Sequence, residues 1–381
     1  MMFSFLSPHA LHFGRGQSAQ TAALAKTYGT AVLLVHGSRP SRAQWLVTSC
    51  EQAELSTTTL SCHREPSLPD ITAALDHLGD FRPDVIIALG GGSVIDFAKA
   101  LAALIPCEGE ASEYLEVVGN GRPLENALIP MIALPTTAGT GAEVTKNAVI
   151  SVPERGIKVS LRDGRMIPQI AIVDAALMEG APKTVTLAAA LDAVTQVIEP
   201  YLSVKANPMT DALCVAAIPK GLKSLRDVVE NDTPDAWDDM AWVSTCGGLA
   251  LANSGLGAVH GFAGVIGGRT NAPHGEICGA LLPAVLKSHL GKAEKGTEIY
   301  KRLKWVETLC DAQFEPNEPG QGISALARWS KGQGLRGLGE MGLSPEDHAQ
   351  VADAASNASS MKGNPFALTK EELVATLREA H

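Results

Sequence analysis

The chain has 381 residues, of which 45% are hydrophobic and 19% are charged, a globular composition with enough length for two domains. Its 31 basic and 41 acidic residues give a formal net charge of −10, and no block of Lys or Arg stands out. This balance argues against a nucleic-acid-binding protein and against attachment to an anionic membrane.

Cysteine usage and the N-terminus predict a cytoplasmic location. The 7 cysteines are scattered and form no CxxC pair, which is typical of reduced thiols rather than of a disulfide framework. The first residues lack the charged and apolar regions of a signal peptide. No apolar run reaches the roughly 18–20 residues that a membrane-spanning helix needs.

Short apolar runs alternate with amphipathic stretches in the first half of the chain. Four runs of Val, Ile, Leu and Ala are typical of buried strands: 30–37, 83–93, 130–137 and 170–177. Stretches such as SRAQWLVTSCEQAEL and VIDFAKALAALI predict helices between them. This alternation predicts an α/β domain with a mostly parallel sheet that is covered on both faces.

The pattern becomes helical after residue 180. Helical periodicity, broken by Pro, Gly and Asn, runs through five stretches: 184–203, 208–229, 235–252, 273–290 and 294–312. We therefore predict an α/β domain over residues 1–180 and an all-helical domain over residues 181–381.

A glycine-rich loop, ALGGGSVIDFAKA (88–100), lies between a predicted buried strand and an amphipathic helix. Free backbone N–H groups at the start of that helix, together with its dipole, suit a diphosphate. Asp96 would lie near the first turn of the helix. The same residues also fit a turn that binds no ligand.

A threonine-rich loop, LPTTAGTGAEVTKNAVI (134–150), follows the next predicted strand. Thr136, Thr137 and Thr140 offer hydroxyl groups among glycines. Because ligands of an α/β sheet bind at the carboxyl ends of its strands, the two loops should meet there, which favours a nucleotide. The pattern is not the GxGxxG fingerprint.

Three side chains in the second half form a candidate metal site. Asp192 and Gln196 are four residues apart and share one face of a helix; a histidine in place of the glutamine would complete an ordinary ligand pair. His260 and His274 are each followed by Gly. Either histidine alone fits a core residue, but with Asp192 they form a plausible ligand set for Zn²⁺ or Fe²⁺.

Four motifs in their order and spacing resemble those of the iron-containing (group III) alcohol dehydrogenases: GGGSVIDFAKA, PTTAGTGAEVT, DAVTQVIEPY and HGFAG…NAPHG. The resemblance implies a dinucleotide-binding α/β domain and a helical domain, the architecture shared with dehydroquinate synthase, with the active site in the cleft between them. It implies interconversion of alcohols and carbonyl compounds with a nicotinamide cofactor and a divalent metal, usually iron and sometimes zinc. Members often form dimers.

The resemblance also assigns roles position by position. It implies that the cofactor pyrophosphate contacts Gly91, Gly92, Ser93 and Asp96. It implies that the nicotinamide and ribose contact Thr136, Thr137, Thr140, Asn147 and Lys158. Asp192, His260 and His274 stand at three of the four metal-ligand positions and are the predicted catalytic residues.

The chain departs from the family pattern at the metal site. Gln196 stands where the fourth ligand is usually histidine, and Gly264 stands where many members have a further histidine near the substrate. Amide oxygen is a harder and weaker ligand than imidazole. If Gln196 is the fourth ligand, the site should bind its ion less tightly and favour Fe²⁺ or Mn²⁺, with Zn²⁺ as the alternative.

A third departure concerns the choice of cofactor. The first predicted strand ends in LLVHGSRP, with Gly37 where NAD-preferring members often carry Asp. Without that carboxylate a 2′-phosphate is not repelled, and Ser38 and Arg39 could bind it. The sequence therefore predicts that NADP is accepted alongside NAD.

Three functions remain open from the sequence. Gln196 completes a metal site in an active dehydrogenase, or it binds substrate in a metal-independent reductase, or the chain is a catalytically silent nucleotide-binding relative. The intact threonine loop, Lys158 and both histidines argue against the silent relative. The glycerol dehydrogenase and dehydroquinate synthase branch shares the two-domain plan, but PTTAGTG favours the alcohol dehydrogenases.

Overall fold

The chain forms two compact units in a computed structural model that describes residues 2–270 and 272–381. The α/β unit comprises Leu6–Thr137 and Gly141–Glu179. The helical unit comprises Gly180–His381, together with Ala138–Thr140 and an N-terminal segment that ends at Phe5.

The α/β unit contains eight strands among the described residues. They are β1 (Ala10–Phe13), β2 (Ala31–His36), β3 (Ser56–Ser61), β4 (Val85–Gly90), β5 (Met131–Pro135), β6 (Asn147–Val152), β7 (Ile157–Arg162) and β8 (Ile170–Val173). Six form one sheet in the order β1-β8-β5-β4-β2-β3, and every pair in it is parallel. This confirms the predicted α/β fold class.

Helices cover both faces of the sheet: α1 (Thr21–Lys26), α2 (Gln44–Gln52), α3 (Leu68–Leu78) and α4 (Gly92–Leu104). Side chains of a strand alternate between faces, so Val32 and Leu34 of β2 pack in one core while Leu33 and Val35 pack in the other. Burial on both faces explains why β2 and β4 are continuous apolar runs rather than alternating ones.

The sequence patterns did not predict β3 or the antiparallel pair β6–β7. Strand β3 has the sequence STTTLS, lies at the edge of the sheet and is half exposed, so it carries no apolar run. Strands β6 and β7 form a separate two-stranded sheet that pairs Asn147 with Arg162. Both features lie beside the loops that are candidates for cofactor binding.

The helical unit contains nine α-helices among the described residues. They are α5 (Lys183–Leu202), α6 (Pro208–Glu230), α7 (Pro234–Ser254), α8 (Ala258–Thr270), α9 (His274–Lys292), α10 (Glu298–Phe314), α11 (Gly322–Gly332), α12 (His348–Ser356) and α13 (Lys370–Glu379). No single described helix has the length and apolar character to cross a membrane; only α7 and α8 taken together do, and they are bent by 98°.

Helices α5 and α9 approach each other backbone to backbone. A Cβ atom at position 275 would lie 2.3 Å from the carbonyl oxygen of Ala188, and one at position 279 would lie 2.6 Å from Leu191 Cδ1. At position 275 only glycine fits without a shift of the α5 backbone, whereas at position 279 the group that would have to move is the side chain of Leu191. Gly275 therefore sets the spacing between the two helices, and Gly279 leaves room for Leu191.

We expect Gly275→Ala to destabilise the protein by about 1–3 kcal/mol, because the added methyl group forces the two backbones apart. Gly291→Ala is the matched control, since it lies on the same helix in open space and should stabilise by about 0.5–1 kcal/mol through helix propensity. Thermal unfolding of both variants checks this. Equal unfolding temperatures would show that the close approach is not needed.

Candidate metal centre

One face of α5 carries three buried polar side chains. Asp192, Gln196 and Glu199 follow the spacing i, i+4, i+7 and are 1%, 2% and 6% exposed. Such groups are costly to bury unless they are paired or bind an ion.

Two histidines and a cysteine face Asp192 from the neighbouring helices. His260 lies on α8, and its Nε2 is 3.4 Å from Asp192 Oδ1. His274 begins α9, with its Nε2 3.8 Å from the same oxygen. Cys278 lies one turn further along α9, with its Sγ 3.6 Å from His274 Nε2 and 3.9 Å from His260 Nε2. One potential ligand atom from each residue lies within 4.8 Å of all the others.

The structure therefore brings together the three predicted residues Asp192, His260 and His274, and it adds Cys278. Sequence reasoning missed Cys278, although His274 and Cys278 have the i, i+4 spacing that drew attention to Asp192 and Gln196. It also missed Glu199, which the i, i+7 spacing from Asp192 could have revealed.

Glu199 orients one of the histidines. Its Oε2 accepts a hydrogen bond from His260 Nδ1 at 2.7 Å, and its Oε1 accepts one from the Val259 backbone N–H at 2.7 Å. This bond fixes the orientation of the ring, so that Nε2 is the atom of His260 that faces Asp192. A carboxylate behind a ligating histidine is the usual way in which proteins fix its tautomer.

In this cluster the neighbouring charged groups shift each pKa in the direction opposite to the effect of burial. Burial alone would raise the pKa of Asp192, but the histidines and Gln196 lower it. Burial would lower the pKa of His274, but Cys278 and Asp192 raise it to about 9. Burial also opposes the shift at His260, whose pKa is nevertheless raised well above its usual value by Cys278, Asp192 and Glu199. The acidic groups thus favour positive charge at this point.

Gln196 has one polar atom engaged and one orphaned. Its Nε2 donates to the carbonyl oxygen of Gly139 at 3.2 Å. Its Oε1 is buried and accepts no hydrogen bond from the described residues, and the same holds for Asp192 Oδ1. Buried oxygens without a donor are rare in proteins. A cation held by Asp192 would satisfy the carboxylate oxygen.

A buried histidine lies behind Glu199. His289 of α9 lines a small cavity with Glu199 and Asn364 and is 2% exposed. Burial lowers its pKa to about 4, against the attraction of Glu199. The folded protein therefore holds this imidazole neutral.

We expect this histidine to make stability depend on pH. Its folded pKa of about 4 is below the usual 6.5, so its contribution is fully present above pH about 6.5 and is lost as the pH falls toward 4. Between pH 7.5 and 5 the cost is about 2 kcal/mol. Urea unfolding at both values should show a larger loss for the wild type than for His289→Leu; equal losses would exclude a neutral buried imidazole.

The glycine and threonine loops meet in the α/β unit, as the sequence predicted. Gly90 and Pro135 are paired in adjacent strands, and Thr136 N–H donates to the Gly90 carbonyl oxygen at 3.0 Å. A Cβ atom at position 91 would lie 3.2 Å from Thr137 Oγ1. Gly92 and Ser93 begin α4, and Gly37 follows β2, the strand next to β4 in the sheet.

Several other candidate cofactor residues have partners within the α/β unit. Asp96 Oδ2 accepts a hydrogen bond from the Val149 backbone N–H at 2.9 Å and so anchors β6 to α4. Lys158 forms an ion pair with Glu65. The carbonyl oxygen of Asn147 accepts a hydrogen bond from Lys99 at 3.1 Å. Thr140 belongs to the helical unit.

A parallel sheet followed by helices that carry a carboxylate–histidine cluster fits a metal-dependent oxidoreductase. The family model "Iron-containing alcohol dehydrogenase" matches residues 8–175, and the model of the C-terminal part of the same family matches residues 186–381. The chain belongs to the iron-containing alcohol dehydrogenase family.

Individual relatives agree with this assignment. Alcohol dehydrogenase 4 of Saccharomyces cerevisiae is 33% identical over 322 residues, which are 83% of this chain and 81% of the relative. Lactaldehyde reductase of Escherichia coli is 34% identical over 311 residues, 80% of each chain. The solved structure of an alcohol dehydrogenase from Oenococcus oeni has a TM-score of 0.87 and 28% identity, with 100% of both chains covered.

Proposed function

We propose that this oxidoreductase interconverts a small alcohol and its aldehyde or ketone by hydride transfer with a nicotinamide cofactor and needs a divalent ion in the helical unit. The observation that carries the proposal is the convergence of Asp192, His260 and His274 on one buried point, with Glu199 behind His260. A silent nucleotide-binding relative would not need this arrangement.

The donor set fits a divalent ion. Asp192 offers an orphaned oxygen, and His260 and His274 offer Nε2 atoms that lie 3.4 and 3.8 Å from it. The fourth donor is Gln196 or Cys278, each one helical turn beyond a member of the cluster. When bound, the ion supplies Lewis acidity toward the oxygen of the alcohol or carbonyl group.

The protein's own residues orient the site and limit its contact with water. Glu199 holds the proton on His260 Nδ1. Asp192 and Cys278 are buried, whereas the side chain of His274 is 35% exposed. The exposed edge of His274 therefore marks the side from which a substrate reaches the cluster.

The α/β unit is proposed to bind the cofactor. Gly91, Gly92 and Ser93 place the N-terminus of α4 beside Thr136 and Thr137, and backbone N–H groups at such a terminus suit the pyrophosphate. The family resemblance alone supports the proposed cofactor-binding roles of Asp96, Thr140, Asn147 and Lys158. A homodimer and a cytoplasmic location also remain proposals; the latter is supported by 7 free cysteines.

We expect the enzyme to accept NADPH as well as NADH. Gly37 supplies no carboxylate, and Ser38 and Arg39 are exposed. Arg39→Ala should raise the KM for NADPH about tenfold, the effect of losing roughly 1.4 kcal/mol from a charged hydrogen bond, and leave the KM for NADH unchanged. Arg42→Ala is the control, because Arg42 is bonded to the carbonyl oxygens of Leu177 and Glu179. An equal change for both cofactors would contradict a role in 2′-phosphate binding.

The function is tested with protein purified without chelators or a metal-binding tag. Elemental analysis gives the bound metal, and oxidation of NADH and NADPH is followed with a panel of small aldehydes. Activity that is lost on chelation and restored by one ion supports the proposal. Activity without metal would favour the metal-independent reductase, and no turnover with either cofactor would favour the silent relative.

A further inference from the structure

We infer that the Cys278 thiolate is the fourth protein ligand of the ion, in place of Gln196, and that it shifts the ion preference from Fe²⁺ toward Zn²⁺. This inference rests on the proposed function and concerns the composition of the same site. The motif positions of the family assign no ligand to position 278.

The distances agree with a single four-ligand site. Ligands of a tetrahedral zinc ion, with Zn–N, Zn–O and Zn–S bonds of about 2.0–2.3 Å, lie roughly 3.3–3.6 Å from one another. In the cluster, Cys278 Sγ lies 3.6 Å from His274 Nε2 and 3.9 Å from His260 Nε2. Asp192 Oδ1 lies 3.4 and 3.8 Å from the same two nitrogens. Small movements of the four side chains toward a bound ion would bring all four ligand atoms within bonding distance of it.

Burial is compatible with a thiolate ligand. Asp192 is 1% exposed and Cys278 is 0% exposed, and a buried anion is stable when a cation lies in direct contact with it.

The contacts of Gln196 point in the same direction. Its Nε2 donates to the Gly139 carbonyl oxygen, and its side chain also forms a hydrogen bond with Asp192. These contacts give Gln196 a positioning role toward Asp192 and the segment Ala138–Thr140. Gln196 on α5 then supplies no ligand, and Cys278 on the neighbouring helix α9 supplies the fourth ligand instead.

A thiolate changes which ion is retained. Cysteine sulfur is a softer ligand than amide or carboxylate oxygen and favours Zn²⁺ over Fe²⁺ and Mn²⁺. The thiol gives up its proton to solvent when the ion binds. A bound ion would supply Lewis acidity to a substrate that approaches from the exposed side at His274.

Cobalt substitution tests the inference on the unaltered chain. The apoprotein is loaded with Co²⁺, and its near-ultraviolet absorption is recorded. We expect a thiolate-to-cobalt charge-transfer band in the wild type and in Gln196→Met. In Cys278→Ser the band should be lost while the visible bands of bound cobalt remain, and Zn²⁺ affinity should fall by more than the roughly 100-fold that loss of an outer-shell partner costs. Cys310→Ser, a buried cysteine on α10, is the matched control and should keep the band.

Three results would overturn the inference. The first is stoichiometric Co²⁺ in the wild type without the band, and the second is a band that persists in Cys278→Ser. If the loaded protein still reduces aldehydes in either case, the proposed function stands and only the ligand assignment fails. The third is no binding of Co²⁺ and no metal-dependent turnover, which overturns the ligand assignment and the metal-dependent function together.

Discussion

Asp192→Asn is expected to remove bound metal and to lower kcat/KM by about 10³-fold or more, because the Lewis acid contributes several kcal/mol and each 1.36 kcal/mol is a factor of ten. The change keeps the shape of the side chain but removes the charge that both histidines face. Metal analysis and steady-state kinetics, measured on the same preparation, check the prediction.

Asp211→Asn is the control for this variant. Asp211 is a carboxylate of the same helical unit, and it binds Arg302 at 2.7 and 2.8 Å, away from the cluster. That variant should lose some stability but keep its metal. If Asp192→Asn retained full metal and full activity, the cluster would not be the catalytic site.

The second large effect is expected at Glu199. Glu199→Gln should lower metal affinity by about 10–100-fold, which is the usual cost of losing the partner behind a ligating histidine. The single oxygen of the amide can replace only one of the two carboxylate oxygens that accept from His260 Nδ1 and from the Val259 N–H. The amide also lacks the negative charge of the carboxylate, whose hydrogen bond helps to raise the pKa of His260. Competition with a chelator of known affinity measures the change.

Glu199→Ala separates orientation from charge. Alanine leaves two donors without an acceptor, His260 Nδ1 and the buried Val259 N–H, whereas glutamine leaves only one of them, and each unsatisfied buried donor costs about 1–3 kcal/mol. The alanine variant should therefore lose more stability than the glutamine variant, and both should lose metal affinity. Equal stability and equal affinity in the two variants would show that the hydrogen bonds of Glu199 have no effect.

The main architecture was readable from the sequence because buried parallel strands are strongly patterned. Strands β2 and β4 are apolar on both faces, so their runs stand out, and the five helical stretches after residue 180 correspond to helices that begin at Lys183, Pro208, Pro234, His274 and Glu298. Strand β3 could not be found in this way, since an exposed edge strand of Ser and Thr has the composition of a loop.

The candidate site was only partly predictable for a different reason. Asp192 and the two histidines lie in motifs, so they could be identified from sequence. Cys278 becomes a candidate ligand only because Gly275 and Gly279 let α9 lie against α5. The distance between these two helices depends on tertiary packing, and the local periodicity of the sequence carries no information about it. The charge of Glu199 was visible in the sequence, but its contact with His260 was not.

The backbone contact between α5 and α9 also bears on how fast an ion can be exchanged. Side chains that interdigitate can move apart by changing rotamers, but two backbones in contact separate only when a whole helix moves. With Asp192 and Cys278 buried, we expect an ion held by the cluster to exchange slowly with ions in solution.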